Sequence, residues 1–158
     1  VVGWRGTHGR GSMYRSLLEA IAMEMARSLN ALQEATGTKL TTVRAMGGGI
    51  RSQLWRQIMT DAIGLPMTAC KEDEISALGA GIVAMSATGV FGDNSIATAA
   101  KHMAQFTDST EPNEENHKIY AELADIQGRL YADLKETNDQ LHEFARRYPD
   151  AEVSNEEE

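Results

Sequence analysis

Three consecutive glycines, Gly47-Gly48-Gly49, constrain this chain more than any other feature of its 158 residues. Glycine weakens the interior of a helix or a strand, so a triplet belongs at a junction between elements. The run before it, Thr41-Thr42-Val43-Arg44-Ala45-Met46, is short and β-branched at its centre and predicts a strand. After it Ser52 stands as an N-cap, and Leu54, Trp55, Ile58 and Ala62 recur at helical spacing to about Ile63. Gly64 ends that helix and Pro66 restarts an extended segment, Met67-Thr68-Ala69-Cys70. A third helix is expected from Asp73-Glu74, whose carboxylates suit a helix N-terminus, to about Thr88, with Gly89 beyond. Strand, helix, strand, helix means two parallel strands joined by a right-handed crossover helix.

The flanks read differently. Residues 1–11 are rich in Gly and Arg without periodicity and read as a loop. Ser12 is the expected cap of an amphipathic helix carrying Tyr14, Leu18, Ile21, Met25, Leu29 and Leu32, stopped by Gly37. Past Gly92 a short helix is expected over 95–106, then a polar link over 107–116. Ile119, Leu123, Ile126, Leu130, Leu134, Leu141 and Phe144 mark a long helix closed by Tyr148-Pro149. Its apolar steps average near 3.6 residues, and Thr137 interrupts them, which favours packing on its own domain over a heptad seam. The chain thus divides into an α/β part, residues 1–92, closing helices over 93–149, and an acidic tail over 150–158 expected to be disordered.

The net charge is −8, and it is uneven. Residues 1–107 carry 10 Lys and Arg against 8 Asp and Glu, while residues 108–158 carry 5 against 15. Nucleic acid and anionic membrane are poor partners for such a chain, because affinity for them comes from basic side chains. No apolar run is long enough for a membrane span, and the start does not read as a signal peptide. The single cysteine, Cys70, allows no internal disulfide and reads as a small buried hydrophobe. A reducing cytoplasmic setting fits. The absence of an initiator Met leads us to expect a mature product or a piece of a longer protein.

A glycine turn between strand and helix lets a ligand approach the backbone, and the helix behind it offers free N–H groups and a positive dipole end to a phosphate. The plain alternative is a tight strand-to-helix turn without a ligand. The motif is neither a P-loop nor a dinucleotide fingerprint: no Lys-Ser/Thr follows at the P-loop spacing, and G-x-G-x-x-G is lacking. The helix of Glu74-Ile75-Ser76-Ala77-Leu78-Gly79-Ala80-Gly81 is built from small residues that suit close packing, with Glu74 available to hold a loop or helix end. His8, His102, His117 and His142 lack metal-ligand spacing, and Asp61 reads as a surface or capping group.

The stretch R-A-M-G-G-G-I-R-S-Q-L-W-R-Q-I-M-T-D-A-I-G-L-P-M, followed by E-x-x-A-L-G-A-G, resembles the C-terminal domain of FGGY-family carbohydrate kinases. The upstream run H-x-R-x-x-x-Y-R-S-L-L-E-A-I-A resembles a further signature of that family. Gly81 stands where that family commonly has Ala, and Ala20 where it has Gly, both small-for-small exchanges. The resemblance implies an α/β fold, part of an actin-like (ribonuclease H-like) ATPase domain followed by a helical tail. It implies ATP or ADP as nucleotide, with Mg²⁺. Gly47, Gly48 and Gly49 would lie against the ribose and α-phosphate, Ser52 would line the adenine side in addition to capping its helix, and Gln53 is a further binding candidate. Trp55 and Gln57 fit the motif as packing and helix-surface residues. The sugar, a ketopentose such as xylulose, would bind to a domain upstream of Val1 that also supplies the catalytic Asp. No catalytic or metal-binding residue is therefore assigned, and the chain alone is expected to be inactive. The same missing part would leave the strand at 41–46 with an open edge, so that the chain alone is expected to be either marginally stable or self-associating. The alternative is a non-catalytic helical interaction module in which 117–147 pairs with another helix and the glycine loop is only a turn.

Overall fold

The glycine triplet sits between strand and helix as its neighbours require. In the computed structural model, which describes residues 2–72 and 74–148, β1 (Val43–Ala45) leads through the turn into a 3₁₀ segment (Gly48–Arg51) and then α2 (Gln53–Ile63). Strand β2 (Met67–Ala69) follows and pairs with β1 in parallel, with Val43 opposite Met67 and Ala45 opposite Ala69. Helix α1 (Arg10–Thr36) precedes this unit, and α3 (Ile75–Thr88), α4 (Ile96–Met103) and α5 (Glu114–Arg147) follow it.

The helix stops behave as read. Gly37, Gly64 and Gly89 each take the left-handed conformation that closes a helix, with φ of 65°, 73° and 64°. The starts are less uniform. Ser52 caps α2 by accepting from Trp55 N at 3.3 Å, and Ser95 caps α4 by accepting from Thr98 N at 3.4 Å. Ser12 caps nothing: α1 begins two residues earlier, after an extended Gly9. Glu74 precedes α3 without a side-chain cap, and its neighbour Asp73 lies outside the described residues. So does the acidic stretch 150–158.

The core lies where α1 packs on α2 over the strands. Ala22, Met23 and Ala26 of α1 are buried, as are Ile58, Met59 and Ala62 of α2 and Met67 and Ala69 of β2. This corrects the expected face of α1. Leu18 and Leu29 are half-buried, but Tyr14, Ile21, Met25 and Leu32 are exposed. The segment read as a polar link also does more than connect. Met67 N and O both bond to Thr110, at 3.0 and 2.8 Å, and Thr107 N donates to Ala69 O at 2.8 Å, so residues 106–110 line the outer edge of β2. Among the described residues β1 has β2 as its sole strand neighbour.

The chain divides into two compact units at the Ala121–Glu122 junction inside α5. In the first, Tyr120 is buried. In the second, Leu123, Ile126, Leu141 and Phe144 are exposed. No helix among the described residues is long and apolar enough to cross a membrane.

Candidate functional site

The glycine turn stands at the carboxyl end of β1. Gly47 has φ 99° and ψ 168°, a region that side-chain-bearing residues avoid. Gly48 and Gly49 do not share this: no left-handed φ occurs there. The backbone therefore demands glycine at Gly47 and makes no such demand at Gly48 or Gly49. A Cβ at Gly47 or Gly48 would meet nothing within 4 Å, so the outer side of the turn is open. Inside the turn, Ile50 N donates to Gly47 O at 3.2 Å, and Ile50 is buried and anchors the segment.

Ser52 continues from this turn as the cap of α2, and Gln53 is the exposed first residue of that helix. The five sequence candidates, Gly47, Gly48, Gly49, Ser52 and Gln53, thus form one continuous stretch. The first N–H groups of a helix have no intrahelical acceptor, and Ser52 satisfies that of Trp55. The indole of Trp55 turns back on the glycines, so that a Cβ at Gly49 would lie 3.6 Å from its Nε1.

Two further motif residues hold the scaffold. Asp61 is 2% exposed, which corrects its reading as a surface group. Its carboxylate accepts from Asn113 N at 2.8 Å, Asn116 Nδ2 at 2.9 Å and Gln57 Nε2 at 2.7 Å. Gln57 also donates to Glu111 O at 3.1 Å, so it too is more than a helix-surface residue. His117 Nδ1 lies 2.9 Å from Asp61 O, which assigns the proton to Nδ1. Helix α2 thus presents the glycine turn at one end and fastens the start of α5 at the other. Sequence reasoning missed this, because the partners lie 52 to 56 residues away.

A cavity of about 660 Å³ opens beside β1, lined by Arg44, Met46, Cys70, Leu78, Lys101 and Phe106 among others. It borders the glycine turn through Met46; none of the five candidate residues lines it. The Arg44 guanidinium sits 4.8 Å above the Phe106 ring. Burial pushes the Cys70 thiol up, while its hydrogen bond to Glu72, at 3.1 Å, holds that carboxyl below its usual range. Gly81 faces α4: a Cβ there would lie 3.2 Å from the Met103 methyl, the mobile end of a flexible side chain. Among the described residues no three His, Cys, Asp or Glu side chains gather to hold a metal.

A parallel β-α-β unit with a glycine turn at a strand's carboxyl end is the layout of ligand-binding α/β domains. The chain belongs to the FGGY family of carbohydrate kinases, whose C-terminal domain matches residues 1–88. A xylulose kinase of Staphylococcus epidermidis is 25% identical over 135 residues, covering 85% of this chain and 27% of its own length. A glycerol kinase of Gloeobacter violaceus is 32% identical over 111 residues, covering 70% of this chain and 22% of its own length. The solved xylulose kinase of Rhodospirillum rubrum superposes with a TM-score of 0.72 at 28% identity, over 86% of this chain and 27% of that one. The fold is accordingly part of an actin-like ATPase domain. The chain spans about a quarter of the length of the relatives it matches.

Proposed function

We propose that this chain forms the nucleotide-binding part of an ATP-dependent kinase that phosphorylates a sugar hydroxyl, the sugar being a ketopentose such as xylulose. The observation that carries the reading is the open outer side of Gly47 and Gly48 in front of the capped α2. A nucleotide can approach this backbone without meeting a side chain, and the helix end behind favours its negative charge. Gly47, Gly48 and Gly49 would face the ribose and α-phosphate. Ser52 and Gln53 would lie toward the base, with Ser52 keeping its role as cap. Phosphoryl transfer is positioning plus charge stabilisation. This chain would supply the nucleotide's seat, while the base for the sugar hydroxyl and the sugar site would come from outside it. The chain alone is expected to phosphorylate no sugar, and the setting we propose is the cytoplasm.

Gly48→Val tests the reading. Gly48 has open space and no left-handed φ, so valine there blocks the ligand more than it strains the fold. Titration of a fluorescent ADP analogue should show weak saturable binding to the parent chain and its loss in Gly48→Val, with the circular dichroism preserved. Equal binding by both chains would remove the loop assignment. The exposed stripe Leu123, Ile126, Leu141 and Phe144 favours the second reading, a helical interaction module. Failure of the parent chain to bind the nucleotide would move the balance to it.

A further inference from the structure

We propose that Trp55 is a positioning residue for the nucleotide: its indole backs the glycine turn at Gly49 and holds the turn in its ligand-receiving path. The inference rests on the nucleotide reading above and adds a residue to it. Trp55 is the third residue of α2 and is tied to the turn twice. Its backbone N donates to Ser52 Oγ at 3.3 Å, and its ring stands at ordinary van der Waals distance from the place of a Gly49 Cβ, 3.6 Å from Nε1 and 3.7 Å from Cδ1. The ring is half-buried, and bonds from Ile50 N to Gly47 O at 3.2 Å and from Ser52 N to Gly49 O at 3.3 Å close the two ends of the turn it supports. A turn made of glycines has no side chains to fix its path, so the fixing falls to whatever packs against it. Here these are buried Ile50 and the indole of Trp55.

The position yields a readout that a merely structural tryptophan would not give. The indole N–H at Nε1 is the atom nearest the turn, so a nucleotide seated on Gly47–Gly49 should alter its environment. The chain has two tryptophans, Trp4 and Trp55, and a Trp4→Phe background leaves one indole signal. In ¹⁵N-correlated spectra, ADP should shift the Trp55 indole resonance saturably, with the same half-saturation as the fluorescent analogue. Trp55→Phe should weaken ADP binding, and Trp55→Ala should weaken it roughly tenfold or more, since a displaced loop forfeits pre-positioned contacts. The indole measurement needs no change at Trp55, so misfolding of Trp55→Ala would leave the test intact. Saturable ADP binding that Gly48→Val removes, with a silent Trp55 indole and full affinity in Trp55→Phe, would overturn the proposal while leaving the nucleotide reading standing. No ADP binding by the parent chain would overturn both.

Discussion

Gly64 shows how one residue is fixed by two constraints. Its φ of 73° is the left-handed conformation that ends α2, and a Cβ there would fall 2.4 Å from Cε1 of His117. The left-handed backbone alone costs a non-glycine residue about 1–2 kcal/mol. The histidine ring cannot move away freely, because Nδ1 is held by Asp61 O at 2.9 Å. Gly64→Ala is therefore expected to cost more than the backbone term alone, about 3 kcal/mol in total by chemical denaturation. Adding His117→Ala should return part of that loss, since the clash goes and the strain stays. If the two substitutions were simply additive, the clash would not be the cause. At Gly47 the demand comes from the backbone alone, whereas at Gly48 neither the backbone nor the surrounding space demands glycine.

Helix α2 earns its place through what its two ends carry. Asp61 is buried with three N–H donors on its carboxylate, and two of these come from the segment that starts α5. Hydrogen bonds to a charged group are worth about 1.5–3 kcal/mol each when one partner is removed. Asp61→Ala is expected to lower stability by about 3 kcal/mol. It should also raise hydrogen exchange across 111–121 before it does so in α1. Unchanged protection there would refute the anchoring role. Helix α1 is joined to α5 by a second polar group. Tyr120 OH donates to Glu19 Oε1 at 3.0 Å, and Arg15 Nε reaches the same oxygen at 2.7 Å. Burial, opposed by the hydrogen bond from Arg15 and reinforced by Glu19, raises the Tyr120 phenol above its ordinary value. The folded pKa is the higher one, so the associated stability is complete below the unfolded phenol pKa, near 10, and is lost as pH rises through the folded value. Tyr120→Phe should remove that part of the alkaline loss. A wild-type and a variant chain with parallel stability curves from pH 8 to 12 would contradict it.

Taken together, the described residues leave much apolar surface in water. Tyr14, Leu17, Ile21, Met25 and Leu32 lie exposed along α1, Met46 and Leu54 flank the glycine turn, and β1 has one strand neighbour among the described residues. Segment 106–110 covers the outer edge of β2 but not that of β1. Open strand edges beside apolar surface favour pairing between chains. The 158-residue chain is expected to self-associate with rising concentration, the net charge of −8 opposing precipitation. Sedimentation velocity at several concentrations and salt strengths checks this, with association growing as salt screens the charge. A concentration-independent monomer would contradict the reading.

The residues that could be read in advance are those whose structure is decided locally. Gly37, Gly64 and Gly89 end helices because only glycine enters the left-handed region cheaply, and Ser52 caps α2 because its partner is three residues away. The glycine triplet announced the strand-to-helix junction, and its neighbours announced the family, for the same reason. Distance along the chain hid the rest. Asp61 looked like a surface acid because nothing nearby reveals Asn113 and Asn116, which bury it. The polar stretch 106–110 lacks any strand signature and pairs with β2 only because β2 offers it an edge. The apolar arc of α1 is wide enough for several packing faces, and the approach of α2 selected Ala22, Met23 and Ala26, the two alanines allowing close contact and the methionine filling the space beside them. Backbone stereochemistry is a property of a few neighbouring residues, whereas burial depends on which distant surfaces meet.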